Sequence, residues 1–305
     1  MVAIDLGSNS IRGVEWDCST NSPKKRFEKV VRTAEGLEKG GRISAEAVQR
    51  VVGAIEEMKK VLDFSDGVKG VATEALRRAS NGEEVLAQIE AETGVRFEVI
   101  TPEEEGLFTA IGIQEGLKRR GVEPAHHFLA VDVGGGSTEF ILVYKTQIVS
   151  NSYPWGIVTL SEKYRTPERI ALYLKRQREK VRNFLQTLYI TYKKPKLMVG
   201  SGGTPTTIAA LKKGLTAKTY DPEVVTGTTI TIEDLDYWYE RLLRLELKKR
   251  EELVGVGRGD LIGAGILILK EALKSAGFTK MVVTDEGVRE GVAVVECRNR
   301  KKGEG

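Results

Sequence analysis

Two stretches of the chain share one pattern of apolar and polar positions. Each is an apolar run that closes on Asp-x-Gly, passes through a few small residues and resumes as an alternating run: AIDLGSNSIRGVEW begins at residue 3 and LAVDVGGGSTEFILVY at residue 129. Period-two alternation reads as strand, and Gly, Ser and Asn between two such runs read as a turn. A further strand-like segment follows each, KRFEKVVRT at 25–33 and QIVSNSYPW at 147–155. Helical periodicity then alternates with short apolar runs. In the first half it predicts a helix over 45–62 with Ser44 as N-cap, the strand VKGVAT, a helix over 83–92 and the strand RFEVI. A helix should start after Thr101-Pro102, where proline suits the first helical position and Glu103 to Glu105 suit the positive end of the helix dipole. The second half repeats the scheme with a helix over 167–188, the strand KLMVG, a helix from Thr204 and a strand-then-helix pattern over 224–243. A long helix through LIGAGILILKEALK, the strand MVVT and a final helix from Glu286 complete it. Strands alternating with helices predict an α/β fold, and the repeated opener predicts paired halves. The expected domains are 1–122 and 123–305, divided in the turn-prone stretch 121–124, with the final helix from about 287 placed to pack back on the first half.

Composition narrows the function classes. The 305 residues are 41% hydrophobic and 30% charged, an ordinary globular balance. The longest apolar stretch, residues 261–270, is roughly half of what a bilayer-spanning helix needs, so no membrane span is expected. The chain opens directly on an apolar strand with no basic segment ahead of it, which predicts no secretory signal and a cytoplasmic protein. Cys18 and Cys297 are the only cysteines; distant and without CxxC spacing, they are expected to be unpaired thiols. His126 and His127 are adjacent and point in different directions on any regular element, which argues against a histidine metal centre or a Ser/His triad. Abundant Lys and Glu with few Asn, Gln and Cys is a bias associated with hot-environment proteins.

The net charge is +4 and the isoelectric point about 8.8. Basic clusters lie at 24–26, 119–120, 175–178, 193–196 and 248–250. Such clusters are commonly solvated faces, yet a basic field also steers anions. No zinc-finger, RRM or helix-turn-helix pattern is present, so nucleic acid is not the expected polyanion.

The two glycine-rich turns carry the candidate chemistry. A tight turn of Gly, Ser and Asn lets backbone N–H groups converge on a phosphate oxygen. An Asp at the end of the preceding strand brings a hard oxygen ligand to the same spot, suited to Mg²⁺ or its waters. One such turn alone reads more simply as a plain hairpin; two in tandem favour phosphate.

The segments DLGSNSIR (5–12), VRTAEGL (31–37), TEALRRASN (73–81), FEVITPEEEG (97–106), VDVGGGSTEF (131–140), GSGGTPTT (200–207), RGDLIGAGILIL (258–269) and TDEGVREG (284–291) resemble, in order and spacing, the exopolyphosphatase and guanosine pentaphosphate phosphohydrolase family. That family lies within the superfamily of actin, sugar kinases and heat-shock chaperone ATPases. The resemblance implies two actin-like (ribonuclease H-like) α/β domains with mixed sheets, flanking helices and an active-site cleft between them. It also implies a chain of the short, two-domain form. The implied activity is Mg²⁺-dependent release of the terminal phosphate of polyphosphate, of guanosine pentaphosphate (pppGpp, giving ppGpp), or of both. By the same resemblance Asp5, Asp132 and Glu139 organise the metal, and Gly7, Ser8, Asn9, Gly134, Gly135, Gly136, Ser137 and Thr138 line the phosphate. Arg12 and Arg77 match the family's anion-contacting arginines, and Glu105 matches the glutamate that positions the attacking water, with Glu104 as the alternative. The chain departs from the family at Pro102, where glycine is usual, and at Gly106-Leu107, where Ala-Arg is usual. Residues 200–207 sit where superfamily ATPases bind adenosine and read equally as a structural strand-to-helix turn. An ATP-using kinase or ATPase, and a non-catalytic polyphosphate or alarmone sensor, stand as alternatives; homodimerisation is left open.

Overall fold

The structure is a computed structural model that describes residues 1–123 and 125–303. Pro124, in the expected boundary stretch, lies outside the described residues. The first sheet contains β1 (Val2–Leu6), β2 (Ser10–Asp17), β3 (Ser22–Val30), β4 (Val68–Ala72) and β5 (Phe97–Val99). Its strand order is β3-β2-β1-β4-β5. The accompanying helices are α1 (Leu37–Gly40), α2 (Ala45–Lys59), α3 (Glu74–Arg78), α4 (Gly82–Thr93) and α5 (Pro102–Arg119). The second sheet contains β6 (His127–Val133), β7 (Thr138–Tyr144), β8 (Gln147–Tyr153), β9 (Leu197–Gly202), β10 (Thr229–Thr231) and β11 (Lys280–Val283), in the order β10-β11-β9-β6-β7-β8. With it come α6 (Ile157–Tyr164), α7 (Pro167–Tyr192), α8 (Gly203–Lys212), α9 (Pro222–Val225), α10 (Ile232–Leu243), α11 (Leu247–Val254) and α12 (Ile262–Ala276); α13 (Val288–Gly303) ends the chain.

Two compact units result. One holds Met1–Glu115 and the segment from Glu286, and the other holds Gly116–Asp285. Each is a mixed sheet flanked by helices, as the alternating pattern predicts. Both sheets are built on the same core: an antiparallel hairpin whose first strand also pairs in parallel with a later one, β1 with β4 and β6 with β9. The hairpin registers coincide. Leu6 faces Ile11 and Asp5 faces Arg12 in the first; Val133 faces Thr138 and Asp132 faces Glu139 in the second.

In the first unit, α13 covers the hairpin. Val288, Val292, Ala293 and Cys297 pack with Met1, Ala3, Val14, Trp16 and Val71. Two glycines bring α5 close to the start of α13: a Cβ on Gly112 would overlap the Gly287 carbonyl, and one on Gly291 the Phe108 carbonyl. The cysteine expectation is corrected here. Cys18, in the β2–β3 turn, forms a disulfide with Cys297 of α13, with Cα atoms 5.3 Å apart. The partners are 279 residues apart, so no local spacing could signal a pairing that the docking of α13 creates. Among the described residues, no helix is long and apolar enough to cross a membrane.

Candidate active site

In the first unit the site begins at the β1–β2 turn. The Gly7 N–H donates to the Ser10 carbonyl at 3.0 Å and closes the turn. The turn's other carbonyls point into the segment that follows β3: Asn9 O accepts from the N–H groups of Val31 and Arg32, and Ser8 O from that of Ala34, all at 2.9 Å. Ser8 is 3% and Asn9 8% exposed, yet Ser8 Oγ and Asn9 Oδ1 have no hydrogen-bond partner among the described residues. A buried polar group in that condition costs stability and calls for an explanation. Arg12, opposite Asp5 in the register, donates from Nε to Glu28 Oε1 at 3.1 Å.

Arg77, on α3, joins this unit's site to α5. Its guanidinium donates to the Ile100 carbonyl at 2.6 Å and to Glu105 Oε2 at 2.9 Å. Glu105 is 8% exposed, in the first turn of α5. The two adjacent glutamates have different roles. Glu104 accepts from the Thr101 N–H at 2.8 Å, and Thr101 Oγ1 accepts from the Glu104 N–H at 3.2 Å. That reciprocal pair is a capping box, which satisfies two backbone donors at the start of α5. Glu103 and Glu104 are exposed, which leaves Glu105 as the buried carboxylate of the three.

The β6–β7 turn repeats the geometry. The Gly134 N–H donates to Ser137 O at 3.0 Å. Gly134 O accepts from Ile157 N at 3.1 Å, Gly135 O from Val158 N at 2.9 Å, and Gly136 O from the Thr159 hydroxyl at 3.2 Å. Three successive carbonyls are thus drawn to the start of α6. The approach is so close that a Cβ on Gly156 would collide with the backbone of Gly135 and Gly136. Thr138 Oγ1 donates to Trp155 O at 2.7 Å. Glu139 is 2% exposed, and its Oε1 accepts from Ser137 Oγ at 2.6 Å and Ser152 Oγ at 2.7 Å. Residues 200–207 form the end of β9 and the start of α8. Gly202 has φ of 97°, and a Cβ there would lie 2.9 Å from Asp132 Oδ1. The hydroxyls of Thr206 and Thr207 donate back to the carbonyls of Gly202 and Gly203.

Asp132 and Glu139 therefore stand opposite each other in one strand pair. Like charges so placed are destabilising unless donors or a cation offset them. Two hydroxyls offset part of the Glu139 charge. Hard carboxylate oxygens fit Mg²⁺, which is commonly held by one or two carboxylates with water and substrate phosphate completing its shell. No group of three or more His, Cys, Asp or Glu gathers among the described residues. Asp5 belongs to the other unit and faces an arginine instead.

Helix-flanked mixed sheets with twin Asp-x-Gly turns define the class of this molecule, the two-domain actin-like fold. The model of the Ppx/GppA phosphatase family matches residues 24–299, and the chain belongs to that family of hydrolases. Exopolyphosphatase 2 of Mycobacterium tuberculosis is 29% identical over 318 residues, covering 96% of this chain and 97% of its own. A putative exopolyphosphatase of Haemophilus influenzae is 28% identical, covering 96% and 90%. The crystal structure of the Aquifex aeolicus Ppx/GppA family member superposes with a TM-score of 0.73 at 30% identity, over 98% of this chain and 97% of that one. An exopolyphosphatase structure from Cytophaga hutchinsonii, at 22% identity and a TM-score of 0.83, shares the fold.

Proposed function

We propose that the protein hydrolyses the terminal phosphoanhydride of inorganic polyphosphate, and that pppGpp, which ends in the same kind of triphosphate, is a second substrate. The observation that carries this reading is the Glu105 carboxylate: buried, bonded to Arg77 and set at the positive end of α5, beside a Glu104 engaged in capping. Exopolyphosphatases among the full-length relatives support the substrate class.

Phosphoryl transfer to water needs positioning and charge neutralisation more than covalent chemistry. Glu105 orients the water and takes its proton as the oxygen closes on phosphorus. Arg77 holds Glu105 in place and offsets phosphoryl charge. Ser8, Asn9 and Arg12 of the first turn, and the backbone N–H groups of Gly135 and Gly136 with Ser137 and Thr138 in the second, whose Gly134 N–H closes the turn, bind phosphoryl oxygens. Asp132 and Glu139 would hold Mg²⁺, which when bound supplies positive charge beside those oxygens. The products are orthophosphate and a chain one unit shorter.

The test is phosphate release from polyphosphate, pppGpp and ATP, with Mg²⁺ and with EDTA. Mg²⁺-dependent turnover of polyphosphate above ATP is expected. Faster turnover of ATP would replace this reading with an ATPase, and tight polyphosphate binding without release would make the protein a sensor.

A further inference from the structure

The backbone that wraps the β1–β2 turn brings a third unmatched polar group to it. Thr33 lies between Arg32, whose N–H donates to Asn9 O, and Ala34, whose N–H donates to Ser8 O. The residue is 1% exposed, and its Oγ1 has no hydrogen-bond partner among the described residues, as with Ser8 Oγ and Asn9 Oδ1. Three such groups around one turn run against the general rule that buried polar atoms are paired. At the other turn Trp155 Nε1 is unmatched among the described residues, but the hydroxyls are not. In the segment after β8, Thr159 donates to the carbonyls of Gly136 and Gly156, and Ser137, Thr138 and Ser152 are all bonded.

We propose that Thr33 is a further substrate-binding residue, whose hydroxyl acts with those of Ser8 and the Asn9 amide on a phosphoryl group of the phosphoanhydride substrate. The inference rests on the reading of this turn as a phosphate site. Ser and Thr hydroxyls rotate to donate where an acceptor arrives, and an Asn amide presents its NH₂ end when its two ends exchange. A phosphoryl oxygen entering the turn gives the buried donors the partner that the protein does not supply. The groups are kept unmatched in the free protein and matched in the complex, a disposition that trades stability for binding.

Thr33→Val removes the hydroxyl at nearly constant shape, and Thr33→Ser keeps it. Inorganic tripolyphosphate is the binding probe, read by calorimetry, alongside polyphosphate turnover and thermal melting. For Thr33→Val, tripolyphosphate Kd and polyphosphate KM should rise about 5- to 20-fold, the scale of one lost hydrogen bond to a charged group. The melting temperature should hold or rise, because an unmatched buried hydroxyl is gone. Thr33→Ser should bind within about twofold of wild type. A lower melting temperature with unchanged Kd would show a hydroxyl serving the fold and overturn the proposal, as would no change in either. Ser8→Ala separates the two levels. If it weakens tripolyphosphate binding while Thr33→Val does not, the phosphate turn stands and the role of Thr33 falls; if neither does, both fall.

Discussion

The β1–β2 and β6–β7 turns have one register and opposite chemistry. Each closes with a Gly N–H to Ser C=O bond of 3.0 Å and has its other carbonyls drawn into the segment after the third strand. At the position opposite the strand-ending aspartate, however, the first turn has Arg12 and the second Glu139. The first pair is neutral overall, while the second carries two negative charges with hydroxyls bonded to one of them. The hydroxyls differ in the same sense: unmatched at Ser8 and Thr33, matched at Ser137, Thr138 and Thr159. One backbone device thus serves two ends. The first turn sets an arginine opposite its aspartate, a pairing that suits an anion, and the second sets a glutamate opposite its aspartate, a pairing that suits a cation.

The largest effect expected is at the residue that belongs to neither turn. Glu105→Gln keeps the size and the bond to Arg77 but cannot take a proton from water. Turnover of polyphosphate should fall about 10²- to 10⁴-fold, with tripolyphosphate binding retained. Near-normal phosphate release by this variant would remove Glu105 from the chemistry.

Next comes covalent closure, since the unit containing the first turn holds both cysteines and the other holds none. Cys18–Cys297 ties the β2–β3 turn to α13, which covers β1 and β2. Reduction, or Cys297→Ser, should cost about 2–5 kcal/mol of unfolding free energy. Denaturant unfolding with and without dithiothreitol measures it; coincident curves for fully reduced and oxidised protein would show that packing alone holds the helix.

A smaller effect tests the cation side of the comparison. Glu139→Gln removes one of two facing charges, and Mg²⁺ needed for half-maximal turnover should rise about 10- to 100-fold. Arg12→Gln, at the equivalent position, should raise KM for polyphosphate and leave the Mg²⁺ requirement unchanged. The same Mg²⁺ shift in both variants would erase the distinction drawn between the turns.

Much of this arrangement is legible in the sequence. Asp-x-Gly followed by small residues predicts both hairpins, because the turn needs glycine where carbonyls approach and strands need apolar alternation. Thr101-Pro102 marks the start of α5 for a local reason, capping. Signals fail where contact is made by the fold. Cys18 and Cys297 meet through the docking of α13, and Arg77 meets Glu105 through the packing of α3 and α5. Thr33 reads as an ordinary strand end until its backbone neighbours are seen bonded to Ser8 and Asn9. A local conflict also misleads: Val224-Val225 reads as strand by β-branching, yet Asp221 accepts from the Glu223 N–H and Pro222 starts the short helix α9. Capping chemistry outweighs propensity there.

The smallest expected effect discriminates between the adjacent glutamates Glu104 and Glu105. Glu104 is exposed and bonded to the Thr101 N–H. Glu104→Ala removes one arm of the capping box and a negative charge near the positive end of α5, together worth about 0.5–2 kcal/mol. In a chain of this size about 1 kcal/mol lowers the melting temperature by roughly 2–4 °C. The rest of α5 is held by its close approach to α13 at Gly112 and Gly291, so the helix should stay formed and Glu105 should keep its bond to Arg77. Turnover at 25 °C should then stay within about twofold of wild type, because a cap contributes to folding and not to the barrier. Thermal melting and polyphosphate turnover on one preparation check both halves of this expectation. A Glu104→Ala protein that melts normally and has lost catalysis would transfer the water-positioning role to Glu104 and turn the Arg77–Glu105 pair into a structural salt bridge.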